Sequence, residues 1–190
     1  LDIPDLPVHP DGLSYTPDAV FLGRDGLVYL WSRKYYSLFR WSPVQGRYLS
    51  TLTLFSAPKY LAYSSELHQF FLAHPDGRLT ALDPQPATPS RERHVASVPG
   101  PPTCLADAGH YIYVCGPGEY FYSRFTFHPD GTKASEVTRH SDRPVRPVWS
   151  PTMGKVYYLN SQSHAVSSEP VGADGAIGAP QIGTPDPFAS

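Results

Sequence analysis

The apolar positions of this chain fall into short runs that recur. Val28-Tyr29-Leu30-Trp31 is followed by Phe70-Phe71-Leu72 after 42 residues, by Ile112-Tyr113-Val114 after another 42, and by Val156-Tyr157-Tyr158-Leu159 after 44 more. Short aromatic and β-branched runs bounded by turn residues predict strands rather than helices. A second apolar run precedes each of these, at 19–22, 60–63, 103–106 and 147–149. Polar turns separate the two: Gly23-Arg24-Asp25-Gly26, Ser64-Ser65-Glu66-Leu67-His68, Asp107-Ala108-Gly109-His110 and Ser150-Pro151-Thr152-Met153-Gly154. A second set of turns, Ser32-Arg33-Lys34, His74-Pro75-Asp76-Gly77, Gly116-Pro117-Gly118-Glu119 and Asn160-Ser161-Gln162-Ser163, keeps the spacing of the runs. Alternating segments follow, and then a fourth run at 48–55, 94–98, 133–138 and 176–182.

Four strands per unit of about 42 residues, repeated four times, predict a four-stranded antiparallel meander stacked on copies of itself. One such sheet cannot bury both of its faces, and stacking does that for it. The fold expected is therefore all-β: a β-propeller of four blades with four antiparallel strands each. The alternative is half of a larger propeller, completed by dimerisation or by sequence not included here. The units run from about 13–57, 58–99, 100–143 and 144–187 within a single domain at 13–187. Residues 1–12, rich in Pro and Asp, form an N-terminal tail or clasp. Twenty-two Pro and fifteen Gly punctuate the chain too often for long helices.

Charge adds exclusions. The net charge is −2 and no basic patch occurs, which argues against a nucleic-acid partner. No apolar run approaches the roughly 18 residues of a membrane-spanning helix. The first residue is Leu1, without a charged and apolar leader, as in a processed secreted protein or an excised segment. A secreted or extracytoplasmic location is the expectation. Cys104 and Cys115 flank one predicted hairpin. A cross-strand disulfide and two buried thiols both fit this spacing.

The stretch Asp18-Ala19-Val20-Phe21, Gly26-Leu27-Val28-Tyr29-Leu30-Trp31, Lys34-Tyr35-Tyr36 and Phe39-Arg40-Trp41 resembles a hemopexin-type repeat. Hemopexin-like domains are four-bladed and about as long as this chain. The match covers the first unit alone. The Pro-Asp-Gly turns of later units are similar to those of lactonase-like and NHL-like propellers.

Candidate chemistry is sparse. Of eight His, His68 and His110 recur one repeat apart in the same turn. A ring brings equivalent positions to one rim, where the pair would bind a metal or an anion; exposed turn residues are the plainer reading. His74 and His128 precede Pro-Asp-Gly and read as turn formers. The acidic groups Asp18, Glu66, Asp107 and Glu119 would line a divalent-cation site. A structural Ca2+ or other ion on the propeller axis is the cofactor expectation. No nucleophile elbow, phosphate-binding loop or dinucleotide fingerprint occurs. The aromatic surplus supplies the main lead: Trp31, Tyr35, Tyr36, Trp41, Tyr120 and Tyr122 as ligand-binding side chains, with blade core as their alternative role. The function expected is a non-enzymatic module that recognises a protein or glycan through loops and exposed aromatics, as monomer or homodimer. The alternative is a lactonase- or hydrolase-type propeller enzyme with an axial metal site.

Overall fold

The structure, a computed structural model, describes residues 16–84, 92–109, 111–116, 121–140, 144–150, 152–160, 165–171 and 181–183, with the backbone alone at 108, 121, 122, 137–140, 144–147, 149 and 160. Among the described residues every element is a β-strand. The first sheet holds β1 (Ala19–Leu22), β2 (Val28–Ser32), β3 (Ser37–Ser42), β4 (Arg47–Tyr48) and β5 (Leu52–Thr53). The second holds β6 (Tyr60–Ser64), β7 (Gln69–Ala73), β8 (Arg78–Leu82) and β9 (Arg93–Ser97). The third holds β10 (Cys104–Ala108), β11 (Tyr111–Cys115), β12 (Phe121–Phe127) and β13 (Lys133–His140). The fourth holds β14 (Pro144–Ser150), β15 (Lys155–Asn160), β16 (Ala165–Pro170) and β17 (Gln181–Ile182). Each is an antiparallel meander in chain order, the four-sheet architecture that the repeat predicts.

The recurring runs are the second strands, β2, β7, β11 and β15. They are apolar at successive positions, and in the first three sheets both faces of the second strand are packed. In β7, Phe70 and Leu72 face the first sheet and join Tyr29, Trp31, Leu38, Leu52 and Leu54. Phe71 and Ala73 face the third sheet and join Ile112, Val114, Phe125 and Phe127. In β11, Tyr113 and Cys115 turn to the fourth sheet and meet Val156. The echo spacings of 42, 42 and 44 are even numbers. An odd spacing would turn each strand's side chains to the opposite face.

Phe70 is the hub of the first layer. Its ring lies edge-on to Phe21 at 5.6 Å and to Tyr29 at 5.0 Å, and tilted against Tyr63 at 4.8 Å. Such pairs add about 0.5–1.5 kcal/mol each beyond area burial.

Three turns share one geometry. In 23–27, 74–78 and 128–132 the first residue's N–H bonds the carbonyl four residues on, and the glycine N–H bonds back to the first residue's carbonyl. The Asp carboxylates of Asp25, Asp76 and Asp130 accept the N–H two residues ahead. The glycines, Gly26, Gly77 and Gly131, sit at φ of 76°, 88° and 78°, where a β-carbon is strained. Gly77 is further constrained, because an added Cβ would strike the carbonyls of Val98 and Gly100. His74 and His128 both open these turns, as expected.

His74 does more than that. It is 1 % exposed, and both ring nitrogens are engaged between the first and second sheets. Ser56 Oγ lies 3.1 Å from Nδ1, and Thr80 Oγ1 lies 2.9 Å from Nε2. Thr80 donates to Glu92 Oε2 at 3.2 Å, and Phe55 N–H donates to Glu92 Oε1 at 2.9 Å. Thr80 gives its proton to Glu92, so it accepts from Nε2–H, and Nδ1 accepts from Ser56. Burial alone raises the Glu92 carboxyl pKa, but the bonds from His74, Phe55 and Thr80 outweigh it and hold the pKa below the usual value. The order Ser–His–Glu is that of a nucleophilic relay. Here the imidazole is sealed from solvent, so the network is an inter-sheet tie.

The fourth strand of the first unit departs from expectation. The predicted run at 48–55 is split into β4 and β5, both paired with β3. Buried Arg40 is the cause: its Nε donates to Ser50 O at 2.7 Å, its Nη1 to Pro84 O at 3.3 Å, and its Nη2 to Ser50 Oγ. Leu49 N–H still bonds Arg40 O, but Ser50 turns its carbonyl and hydroxyl to the guanidinium instead of to the ladder.

Cys104 and Cys115 are directly opposed in the β10–β11 ladder and joined as a disulfide, with Cα atoms 4.9 Å apart. Of the two sequence readings, the bonded one holds.

Two outcomes are expected. Phe70→Ala lowers unfolding free energy by about 3–5 kcal/mol, since the cavity lies among three aromatic rings; urea denaturation measures it, and a loss under 1 kcal/mol contradicts the hub role. The double substitution Cys104→Ala, Cys115→Ala lowers stability by about 2–3 kcal/mol by the loop-entropy relation, read by the same denaturation with and without reductant.

Candidate functional site

The turns between first and second strands lie at one end of the stack, and successive sheets touch there. Arg24 N–H donates to Tyr63 Oη across the first pair of sheets at 3.1 Å. Tyr63 stacks on Tyr29 at 6.1 Å, and Tyr29 donates to Asp25 Oδ2 at 2.7 Å. Burial, then the bond to Asp25, raises the Tyr29 hydroxyl far above its usual value, so it stays a proton donor.

The gap between the second and third sheets holds the chemistry. Asp107 is the fourth residue of β10 and pairs with Ile112, so its side chain points at the second sheet. There it meets Ser64, the last residue of β6, which is fully buried. Ser64 Oγ donates to Gly109 O at 2.9 Å, closing the turn after Asp107. Glu66, from the second sheet's turn, lies over Gly109, where any Cβ would strike its carboxylate. Gly109, at φ 73°, is therefore bound by conformation, and a side chain there would displace the Glu66 carboxylate. Further out, Arg93 Nη2 donates to Gln69 Oε1 at 2.8 Å and to Gly131 O.

Asp107 carries the electrostatic anomaly. Its Oδ1 is buried with no hydrogen-bond partner among the described residues. Burial pushes the carboxyl up to about 7, against the pull of the neighbouring Ser64 hydroxyl and the Gly109 backbone and with help from the Glu66 charge. A carboxyl in that range exchanges its proton near neutrality, as general acids and bases do.

The sequence candidates are dispersed. Glu66 and Asp107, from the acidic set, are brought together. Asp18 lies at the opposite end, accepting Arg33 N–H at 2.7 Å. His68 ends the Glu66 turn with φ 54°, a left-handed conformation uncommon outside glycine. His110, Glu119 and Tyr120 lie outside the described residues, and of Tyr122 only the backbone is described, in β12. No three His, Cys, Asp or Glu among the described residues are placed to hold a metal.

The aromatic set needs correction. Trp31 and Trp41 are 5 % and 6 % exposed: one packs in the layer between the first two sheets, the other edge-on to Tyr48 at 5.0 Å. Neither indole offers a face to a ligand. Their alternation pointed to sheet, but both faces of this sheet are covered. Tyr36 is 48 % exposed at φ 49°, and Tyr35 sits beneath Lys34 Nζ at 4.8 Å. Both belong to the turn between β2 and β3, at the end opposite Asp107. Ser64, Gln69 and Arg93 were not singled out in the sequence, since nothing local marks a Ser at a strand end or an Arg opening a strand.

Known proteins bear on the fold. No family model matches the chain, and no curated protein matches it. Among solved structures it is similar to a protein from Lactobacillus plantarum, at 16% identity with TM-score 0.66, over 94% of this chain and 64% of that one. A candidate 6-phosphogluconolactonase from Bacteroides uniformis gives 13% identity and TM-score 0.63, over 87% and 54%. Virginiamycin B lyase from Staphylococcus aureus gives 14% identity and TM-score 0.62, over 96% and 63%. These likenesses define the class: the chain is an all-β protein with a propeller-type fold. It spans less than two thirds of the length of each of these proteins. The described residues contain no helix long and apolar enough to cross a membrane.

The Asp107 geometry predicts a signed pH effect. Its folded pKa exceeds the unfolded value of 3.8, so the folded state holds the proton more tightly. Stability from this group is full below about pH 4 and declines as pH rises through 7, by up to a few kcal/mol. Asp107→Asn removes the slope. Denaturant titrations of both proteins between pH 4 and 8 measure the difference, and parallel curves rule out the shift.

Proposed function

We propose that the chain is a ligand-binding segment of a propeller. Its recognition site is the rim between the second and third sheets, and its ligand is a small hydroxyl-rich molecule of the sugar class. The observation that carries this reading is the convergence of Ser64, Glu66 and Asp107 from two adjacent sheets, with an unmet carboxyl oxygen on Asp107. Carboxyls, the Gln69 amide and the Arg93 guanidinium are the donors and acceptors that hydroxyl groups pair with. Binding replaces the glycan-stacking role of Trp31 and Trp41 with hydrogen bonding. The Tyr35–Tyr36 turn stays a second surface for a protein partner.

A second reading, a lactonase- or lyase-type enzyme, is favoured by the near-neutral titration of Asp107 and is compatible with two structural neighbours, a candidate 6-phosphogluconolactonase and virginiamycin B lyase. Asp107 would then pass a proton to or from the bound ligand, with Glu66 holding it in place. The hemopexin resemblance, confined to the first unit, lends neither reading support. An extracytoplasmic location accords with the disulfide, since such bonds persist where the surroundings oxidise.

Saturation-transfer NMR against neutral sugars, sugar acids and their lactones tests both. Binding is expected for at least one class and is expected to weaken about tenfold or more in Asp107→Asn and in Glu66→Gln, in line with the loss of a hydrogen bond to a charged group. Turnover of a lactone, absent in Asp107→Asn, selects the enzymatic reading. No signal from any class overturns the site.

A further inference from the structure

The geometry points to a docking surface on the outward face of the fourth sheet, and we infer that its occupant is a further four-stranded blade supplied by polypeptide outside residues 1–190. The argument begins with register. Tyr29 and Trp31 in β2, Phe71 and Ala73 in β7, and Tyr113 and Cys115 in β11 each face the following sheet, and none is more than 5 % exposed. Tyr157 and Leu159 hold the same positions in β15, one repeat on. They face away from the third sheet, because Val156 faces it. Their cross-strand partners, Val148 in β14 and Val166 in β16, lie on the same outward face. On this face Val148 is 61 %, Leu159 48 % and Val166 56 % exposed. Of the two positions that are buried three times running, Leu159 is exposed and Tyr157 only half-buried on the fourth sheet, and their partners Val148 and Val166 are exposed beside them. The surface therefore continues an interface the chain already makes three times.

The equivalent face at the other end of the stack is different. Val28, Leu30, Phe39 and Trp41 on the outward side of the first sheet are 2–8 % exposed, so the demand for a neighbour is concentrated on the fourth sheet. Size selects the occupant. The four sheets superpose on 54–64% of the similar solved chains named above. Four sheets in that proportion correspond to a whole of about six to seven, within the range of propellers. The space left holds about two to three blades, too few for a second four-sheet copy.

Three measurements test this. Antibodies raised against residues 1–190 recover the native polypeptide from its source. Its intact mass is expected to exceed 21.0 kDa by about 10 kDa or more, the size of two or more blade repeats. The double substitution Val148→Lys, Leu159→Lys is expected to leave the melting temperature of the isolated 190-residue chain unchanged and to reduce its binding of the dye ANS. In the native polypeptide the same change is expected to lower the melting temperature by several degrees. A native polypeptide of 21.0 kDa, monomeric or dimeric through this face, overturns the proposal. So does a native polypeptide whose melting is indifferent to the double substitution.

Discussion

A β-sheet has two faces, and in this protein the second strand of each sheet is apolar on both. Everything else in the architecture follows from that. A strand such as Gln69-Phe70-Phe71-Leu72-Ala73 leaves half of its apolar surface in water if only one side is covered. With roughly 25 cal/mol per Å² at stake, each sheet requires a neighbour on either side. Stacking of near-identical sheets meets that requirement, and even repeat spacing keeps each face pointing the same way from unit to unit. The turns serve the stack: the Asp-Gly geometry at 23–27, 74–78 and 128–132 brings strands back at once, so that each sheet stays narrow enough to be covered.

Polar groups that enter such a stack cost stability unless they are satisfied within it, and two solutions appear. Arg40 bends the chain to itself, splitting the fourth strand so that Ser50 and Pro84 accept its protons. His74, Thr80, Glu92 and Ser56 close a chain of donors and acceptors with Phe55 N–H at its end. In both cases the burial cost is offset by bonds that reach from one sheet to the next or from a strand to its own loop, and the sheets are tied as well as packed.

Much of the strand pattern was legible because it is dictated by local physics. Ala19–Leu22 and Val28–Ser32 fall where the apolar runs fall, and the places of Cys104 and Cys115 in one hairpin allowed the bond that the ladder register brings about without deciding it. What was not legible depends on distance in sequence. Alternation in 35–41 marks sheet but does not say that both faces are covered, so Trp41, like Trp31 in the strand before it, was open to a binding or a core reading, and both are core. The split of the fourth strand depends on a guanidinium ten residues earlier. Asp107 and Glu66 were recognisable as two of four acidic candidates for a cation site, yet their meeting, and the roles of Ser64 and Arg93, depend on the sheet opposite. His74 read as a turn former, because sequence shows the turn and not the partners brought to it by the neighbouring sheet.

The contrast between His74 and Asp107 is what separates structure from function here. Both are ionisable, both lie between two sheets, and both are held by a serine from the preceding segment of chain. The His74 network has a partner for each ring nitrogen, and its carboxylate, Glu92, is held below the usual range. Asp107 has an oxygen without a partner and a proton it releases only near neutrality. A buried polar group left unsatisfied costs about 1–3 kcal/mol, and a packed protein has no stability reason to carry it. Asn at that position would keep the shape and remove the charge. The cost is understandable if the missing partner belongs to a ligand, because the same unsatisfied oxygen that destabilises the free protein favours the bound one.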